Sequence, residues 1–251
     1  MDIRTGNFFT QHEDLVIPGR IPLQIIRTYN SQDKDDGPFG YGWSFTYHIT
    51  LLGVQDVAQP LQVLRSAEGR RLEFEDNGDG TFTSPLGWQS KTLKSLSGGS
   101  ILTEKKGTQY IFNQRNLAAI KDRNGNRILL GYDQTGKLTT VKDDAGRTLR
   151  FCYGSNNKIT GITDPAGRVF TYDYDINGNL VSFTDPSGNT TRYAYDSLHR
   201  MTGITDPKGN TFLRNTYDSQ NRLAQQFYDG GTWYFSITTK FSWIWPFAMS
   251  W

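Results

Sequence analysis

Apolar positions in this chain fall into short alternating runs, separated by polar turns, that return on a fixed beat. Leu149, Phe151 and Tyr153 alternate with polar neighbours, as do Phe170, Tyr172 and Tyr174, and then Thr191, Tyr193 and Tyr195. A period of two predicts half-buried strands. The complementary arms, Leu138 to Val141 and Leu180 to Phe183, space their apolar pair by three, which predicts a bulge or a leucine closing the turn. Two turn phrases punctuate these strands. The first opens at Tyr132-Asp133, Tyr153-Gly154, Tyr174-Asp175, Tyr195-Asp196 and Tyr217-Asp218, in tyrosine steps of 21, 21, 21 and 22 residues by subtraction. Its fifth position holds Gly136, Asn157, Gly178, His199 and Asn221, residue types that tolerate positive φ.

The second phrase runs Asp143 to Gly146, Asp164-Pro165-Ala166-Gly167, Asp185-Pro186-Ser187-Gly188 and Asp206-Pro207-Lys208-Gly209. Asp caps the first position of a type I turn, Pro presets φ at the second, and Gly suits the fourth. Two turns and two strands fill 21 residues, so each unit is one hairpin of a continuing antiparallel sheet. The predicted fold is all-β: hairpin repeats forming a continuous twisted ribbon. Degraded copies of both phrases, Phe112 to Leu117 and Asp122 to Gly125, start the repeats near residue 110 and carry them to about 231.

Residues 1–50 read as extended segments and tight turns. A strand reaches Ile17, Pro18-Gly19 turns, Leu23 to Asn30 forms a second strand, and Phe39 to Tyr47 is expected to re-enter the sheet. Residues 51–109 read as irregular hairpins continuous with that sheet, with turns at Ser66 to Gly69 and Ser97 to Ser100. Asp76-Asn77-Gly78-Asp79-Gly80 imitates a calcium loop, but Leu86 stands where a loop counted from Glu75 needs a bidentate Glu, so a hairpin turn is expected. Residues 232–251 leave the pattern. They hold four of the six tryptophans, and they read as a frameshifted or truncated end or as a partner-binding aromatic tail.

The tyrosine phrases resemble the Rhs/YD-repeat family, which includes bacterial Rhs toxins, wall-associated proteins, cocoon subunits of insecticidal toxin complexes and animal teneurins. Thr5 to Asn7, Asp14 to Gly19, Arg27 to Ser31 and Gly40 to Trp43 are similar to the segment that precedes the repeats in Rhs proteins. The resemblance implies a long β-ribbon spiralling into a hollow shell, often around a C-terminal toxin domain, in an extracellular or cell-surface protein. A shell that encloses a toxin needs far more ribbon than 251 residues supply, so a partial, unclosed shell is expected. The partners implied are further repeats or a C-terminal toxin domain. Some relatives cut themselves at Asp-Pro-x-Gly-Leu. Here Arg168, Asn189 and Asn210 follow the three Asp-Pro phrases, so no cleavage site carries over.

Composition narrows the chemistry. Lys and Arg number 27 against 25 acidic residues, which gives no sign of a nucleic-acid partner. No apolar run is long enough to span a bilayer, and the first residues lack the pattern of a secretory signal peptide. Cys152 stands alone and is expected to be a buried or half-buried inert thiol. His12, His48 and His199 lie in different segments, and His12-Glu13-Asp14 would need a further ligand to bind a metal. No catalytic, cofactor or metal site emerges, and a structural, non-enzymatic role is expected. The alternative is a carbohydrate-binding or adhesive surface module that stacks exposed aromatics on cell-surface glycans. Tyr172, Tyr193 and Tyr195 discriminate the two: covered for a shell, in a solvent-facing row for a glycan binder.

Overall fold

A computed structural model describes residues 5–54, 61–228 and 231–234. The N-terminal fifty residues contribute β1 (Phe9–Ile17), β2 (Leu23–Asn30), the two-residue strands β3 (Asp36–Gly37) and β4 (Gly40–Tyr41), and β5 (Trp43–Phe45). The irregular hairpins follow as β6 (Thr50–Val54), β7 (Leu61–Arg65), β8 (Arg71–Asp76), β9 (Thr81–Thr83), β10 (Lys91–Leu96) and β11 (Gly99–Glu104). Next come β12 (Gln109–Asn113), β13 (Asn116–Lys121), β14 (Arg127–Tyr132), β15 (Leu138–Asp143), β16 (Thr148–Tyr153), β17 (Ile159–Thr163) and β18 (Val169–Tyr174). The ribbon continues through β19 (Leu180–Thr184), β20 (Thr190–Tyr195), β21 (Met201–Thr205), β22 (Thr211–Tyr217), β23 (Leu223–Tyr228) and β24 (Gly231–Tyr234). All described elements are β, and sequential strands pair antiparallel from β6 to β9 and onward through β24.

Each turn in the repeats is one device used twice per unit. In the Asp164 turn the Asp164 N–H donates to Arg168 O, the Gly167 N–H donates to Asp164 O, and Gly167 takes φ 81°. The Asp164 carboxylate accepts from the backbone N–H groups of Ala166 and Arg168. The Asp133 turn has the same backbone bonds and carboxylate contacts, with Gly136 at φ 82°. Asn157, His199 and Asn221, at the equivalent fifth position, take φ of 62°, 63° and 63°. Beyond each tyrosine phrase the register slips by one residue, as between Cys152 and Tyr153 or Asp173 and Tyr174. Leucine closes the turn and a bulge follows it: Tyr132 faces Leu138, Gly131 faces Thr140, and Thr139 is the extra residue.

Consecutive hairpins place all Asp-x-x-Gly turns along one edge of the ribbon and all tyrosine turns along the other. One face of the ribbon is apolar, with Val141, Leu149, Phe170, Tyr172, Tyr193, Ile204 and Leu213 buried.

Three arrangements differ from the sequence expectation. First, Phe39 to Tyr47 does not re-enter the ribbon. β5 joins β1 and β2 in a separate three-stranded sheet ordered β1-β2-β5, which lies on the apolar face. The reason is composition: Trp43, Ser44 and Phe45 are buried on both strand parities, which suits a strand covered on both sides rather than a ribbon with one wet face. Second, the partial shell is closed at its start. β6 to β13 pair in succession, and β13 returns to β6 through Asn116 opposite Thr50, with the Leu51 N–H donating to Arg115 O at 2.9 Å. Strand β13 therefore forks, because its residues 119–121 also pair with β14. Third, Cys152 is exposed on the outer face beside Arg150, neither buried nor half-buried, because the bulge comes one residue later and leaves its parity outward.

Strand β24 pairs with β23 and crosses the expected repeat boundary at 231. The rest of the aromatic tail, residues 235–251, lies outside the described residues.

Candidate functional site: the seam between the N-terminal unit and the tyrosine face

The tyrosines of four of the five phrases are latches between neighbouring hairpins. Tyr132 Oη donates to Leu117 O at 2.8 Å, Tyr153 to Leu138 O at 3.0 Å, Tyr174 to Ile159 O at 2.7 Å, and Tyr217 to Met201 O at 2.8 Å. Each acceptor is the residue that closes the previous tyrosine turn, next to the bulge that breaks the ladder. The N–H groups of Ile159 and Met201, and of Leu223, which closes the last tyrosine turn, are taken by the N-terminal unit. Ile159 N–H donates to Pro38 O at 2.8 Å, Met201 N–H to Tyr29 Oη at 2.8 Å, and Leu223 N–H to Gly6 O at 2.8 Å. The bulges thus present a row of free donors that the N-terminal unit satisfies, as buried backbone groups require. Gly40 passes so close that a Cβ would sit 2.5 Å from Gly178 O, and its φ of 89° is itself a glycine conformation.

The unit spans the ribbon. At the other edge, Arg147 donates to Pro18 O at 2.7 Å and Arg20 to Asn126 Oδ1 at 3.1 Å. Between the edges sits a buried ion pair. Arg27 Nε and Nη2 meet Asp14 Oδ2 and Oδ1 at 2.6 and 2.8 Å, with both side chains fully buried. Tyr193 Oη accepts from Arg27 Nη2 at 3.1 Å, and Tyr172 Oη donates to Asp14 Oδ2 at 2.8 Å. The guanidinium lies 4.8 Å from the Trp43 ring centroid and 5.1 to 5.7 Å from those of Phe183, Tyr172, Tyr193 and Phe39. Among the described residues, Arg27 Nη1 has no hydrogen-bond partner. Burial opposes the charge on Arg27, but the Asp14 carboxylate outweighs it and holds the group protonated well above its usual range. Tyr195 accepts the Trp43 Nε1–H at 2.8 Å.

The three histidines are separate. His12 meets Tyr193 edge-on at 5.5 Å, and burial, then Arg27, push its pKa down to about 4. His48 Nδ1 lies 3.0 Å from Arg65 Nη1, and burial, then Arg65, push it down to about 3. His199 stacks on Tyr41 at 3.8 Å and bonds Asn179 Oδ1 through Nδ1. Among the described residues, no three His, Cys, Asp or Glu side chains are grouped as metal ligands. The Asp76 to Gly80 loop is a hairpin turn in which Asp76 Oδ1 accepts the Gly78 N–H at 2.8 Å.

The repeat residues singled out from the sequence lie where turns and latches need them. Asp143, Asp164, Asp185 and Asp206 cap turns that contain Gly146, Gly167, Gly188 and Gly209; Asp133, Asp175, Asp196 and Asp218 cap the turns on the tyrosine edge. Pro165, Pro186 and Pro207 each occupy the position after the capping Asp. Sequence reasoning missed the residue after the positive-φ position. Arg147, Arg168, Arg200 and Arg222 reach back to the second carboxylate oxygen at 2.7 to 2.8 Å, as do Asn179, Asn189 and Asn210 at 2.8 to 3.1 Å. Their recurrence as Arg or Asn is plain in the sequence once the turns are aligned.

Similarity to known proteins is consistent with this architecture. An RHS Repeat family model matches residues 153–182 and 174–211. The chain belongs to the Rhs/YD-repeat family. Residues 1–74 of this Rhs chain also match a domain of unknown function (DUF6531). The tRNA nuclease WapA of Bacillus subtilis (strain 168) is 34% identical over 138 residues, and the tRNA3(Ser)-specific nuclease WapA of Bacillus spizizenii is 30% identical over 138 residues. Each match covers 54% of this chain and 6% of the relative, so the chain spans only a small part of their length. Among solved structures, TcdB2-TccC3-TEV covers 83% of this chain at 14% identity, with a TM-score of 0.36 and 14% of its own chain matched. TcdB2-TccC3-Cdc42 covers 90% at 15% identity, with a TM-score of 0.37 and again 14% of its own chain.

Proposed function

We propose that this chain is a structural, non-enzymatic part of an Rhs-type shell, with its N-terminal unit acting as a stopper fixed to the tyrosine face. The observation that carries this reading is the covered state of Tyr172 and Tyr193, which are 1% and 4% exposed beneath that unit. A glycan-binding module would present Tyr172, Tyr193 and Tyr195 in an open row; the burial of the first two and the half-burial of Tyr195 weigh against it. Titratable groups at the seam are paired for packing: Asp14 holds Arg27, and His48 serves Arg65. Among the described residues of the seam, none pairs a nucleophile with a base around a reachable substrate position.

Nuclease activity in the relatives named above would then belong to parts of those proteins outside the stretch shared with this chain. Resemblance to the Rhs family supports a whole protein that works outside the cell or at its surface. Among the described residues, no helix is long and apolar enough to cross a membrane. Incubating the full chain with tRNA, and passing it over immobilised glycans, tests the reading. No cleavage above buffer and no retention are expected. Cleavage that co-purifies with the chain and disappears on replacing His12 or His48 would overturn the non-enzymatic role.

A further inference from the structure

Where β6 leaves the N-terminal unit and meets β13, the fork in the sheet opens a cleft of about 530 Å³. A second hollow of about 370 Å³ adjoins it, sharing Asp36, Gly37, His48, Thr50 and Arg115. The packing described above does not use this space, and its walls are rich in donors.

His48 supplies a fixed one. A guanidinium can only donate, so His48 Nδ1 accepts from Arg65 and the neutral ring carries its hydrogen on Nε2. That Nε2–H has no acceptor among the described residues, and His48 is half-buried, lining both hollows. Arg115, exposed in the turn between β12 and β13, has no carboxylate partner among the described residues, and its charge reaches His48. Lys137 ends the next turn along the same edge, with Nζ 5.5 Å from the Tyr153 ring centroid and no ion pair among the described residues. Asp133 feels the charge of Lys137, but its carboxylate is occupied by the turn's own Thr135 and Lys137 N–H groups.

The carboxylates in the walls are already committed. Asp36 holds Lys158, and Asp35 is shared by Arg65 and Arg71. The local field therefore favours an incoming negative charge, and a neutral imidazole N–H with two cations is a donor set that an oxyanion satisfies.

We propose that this cleft binds an oxyanion, the phosphate group of a small ligand, between Arg115, Lys137 and the Nε2–H of His48. The inference is independent of the shell reading. Titration of the full chain with inorganic phosphate and with ribose 5-phosphate, followed by calorimetry and by the His48 Nε2 resonance, tests it and separates a free anion from an esterified one. Saturable binding that moves the His48 resonance is expected with at least one probe. Arg115→Gln and Lys137→Gln should each weaken it about tenfold. Both side chains are outside the core, so an unchanged melting temperature shows that the variants fold. Failure of both probes to bind saturably, or equal binding by the double variant, would overturn the proposal.

Discussion

Individual side chains mark the seam by departing from the repeat. Gly154 replaces the Asp that opens a tyrosine turn, so Lys158 has no carboxylate in its own turn and reaches Asp36 and Gly37 O of the N-terminal unit. His199 replaces Gly or Asn and stacks on Tyr41. Both departures are visible in the sequence. Their meaning was not, because a broken repeat looks the same whether it has decayed or been recruited. The Asp14–Arg27 pair was illegible for a different reason: it joins residues of β1 and β2 to Tyr172 and Tyr193 far along the chain, and no periodicity encodes that meeting. Asp14→Ala would leave the buried Arg27 charge unpaired and should cost about 3 to 5 kcal/mol of stability in denaturant unfolding. The double variant Asp14→Leu/Arg27→Met should recover much of that loss. A single variant no less stable than the parent would show that the pair does not hold the seam.

At the scale of elements, strands, turns and bulges were readable because each rests on local chemistry. The Asp-x-x-Gly turns, the period-2 faces and the three-residue apolar spacing all follow from neighbours within one hairpin. The fate of Phe39 to Tyr47 was not readable, since an extended apolar segment looks alike inside a ribbon or lying across it. The tyrosine latches act between hairpins and were also hidden. Tyr153→Phe keeps the ring and removes the hydrogen bond to Leu138 O, so stability should fall by about 0.5 to 1.5 kcal/mol. Tyr132→Phe should do the same, and the two effects should add within a few tenths of a kcal/mol if each latch is independent. Loss of a latch with no change in the unfolding midpoint would show that the hydroxyl contributes nothing at the bulge.

For the whole molecule, acid is the discriminating condition. His12 and His48 are held neutral, with pKa pushed down to about 4 and about 3 from an ordinary 6.5. In the unfolded chain they protonate normally, so below pH 6.5 the unfolded state binds more protons and stability falls as pH drops towards 4 and then 3. The slope should be roughly 1 kcal/mol per pH unit for each histidine, and stability should be level just above pH 7. Turn carboxylates such as Asp185, whose pKa Asn189 and the turn N–H groups lower, add their own loss below 3.8. Urea midpoints from pH 8 to pH 3 check the sign; a midpoint that rises on acidification would contradict it.

The central claim is that the N-terminal unit and the repeat ribbon form one cooperative structure, with the unit sealed on the tyrosine face. Native-state amide hydrogen exchange of the full chain tests it most directly. The amides of Ile25 and Tyr29 in β2 should exchange as slowly as those of Tyr172 and Tyr193 in the ribbon, governed by the same global unfolding. Fast exchange throughout β1, β2 and β5 beside a protected ribbon would show that the unit is not held there, and the stopper reading would fall.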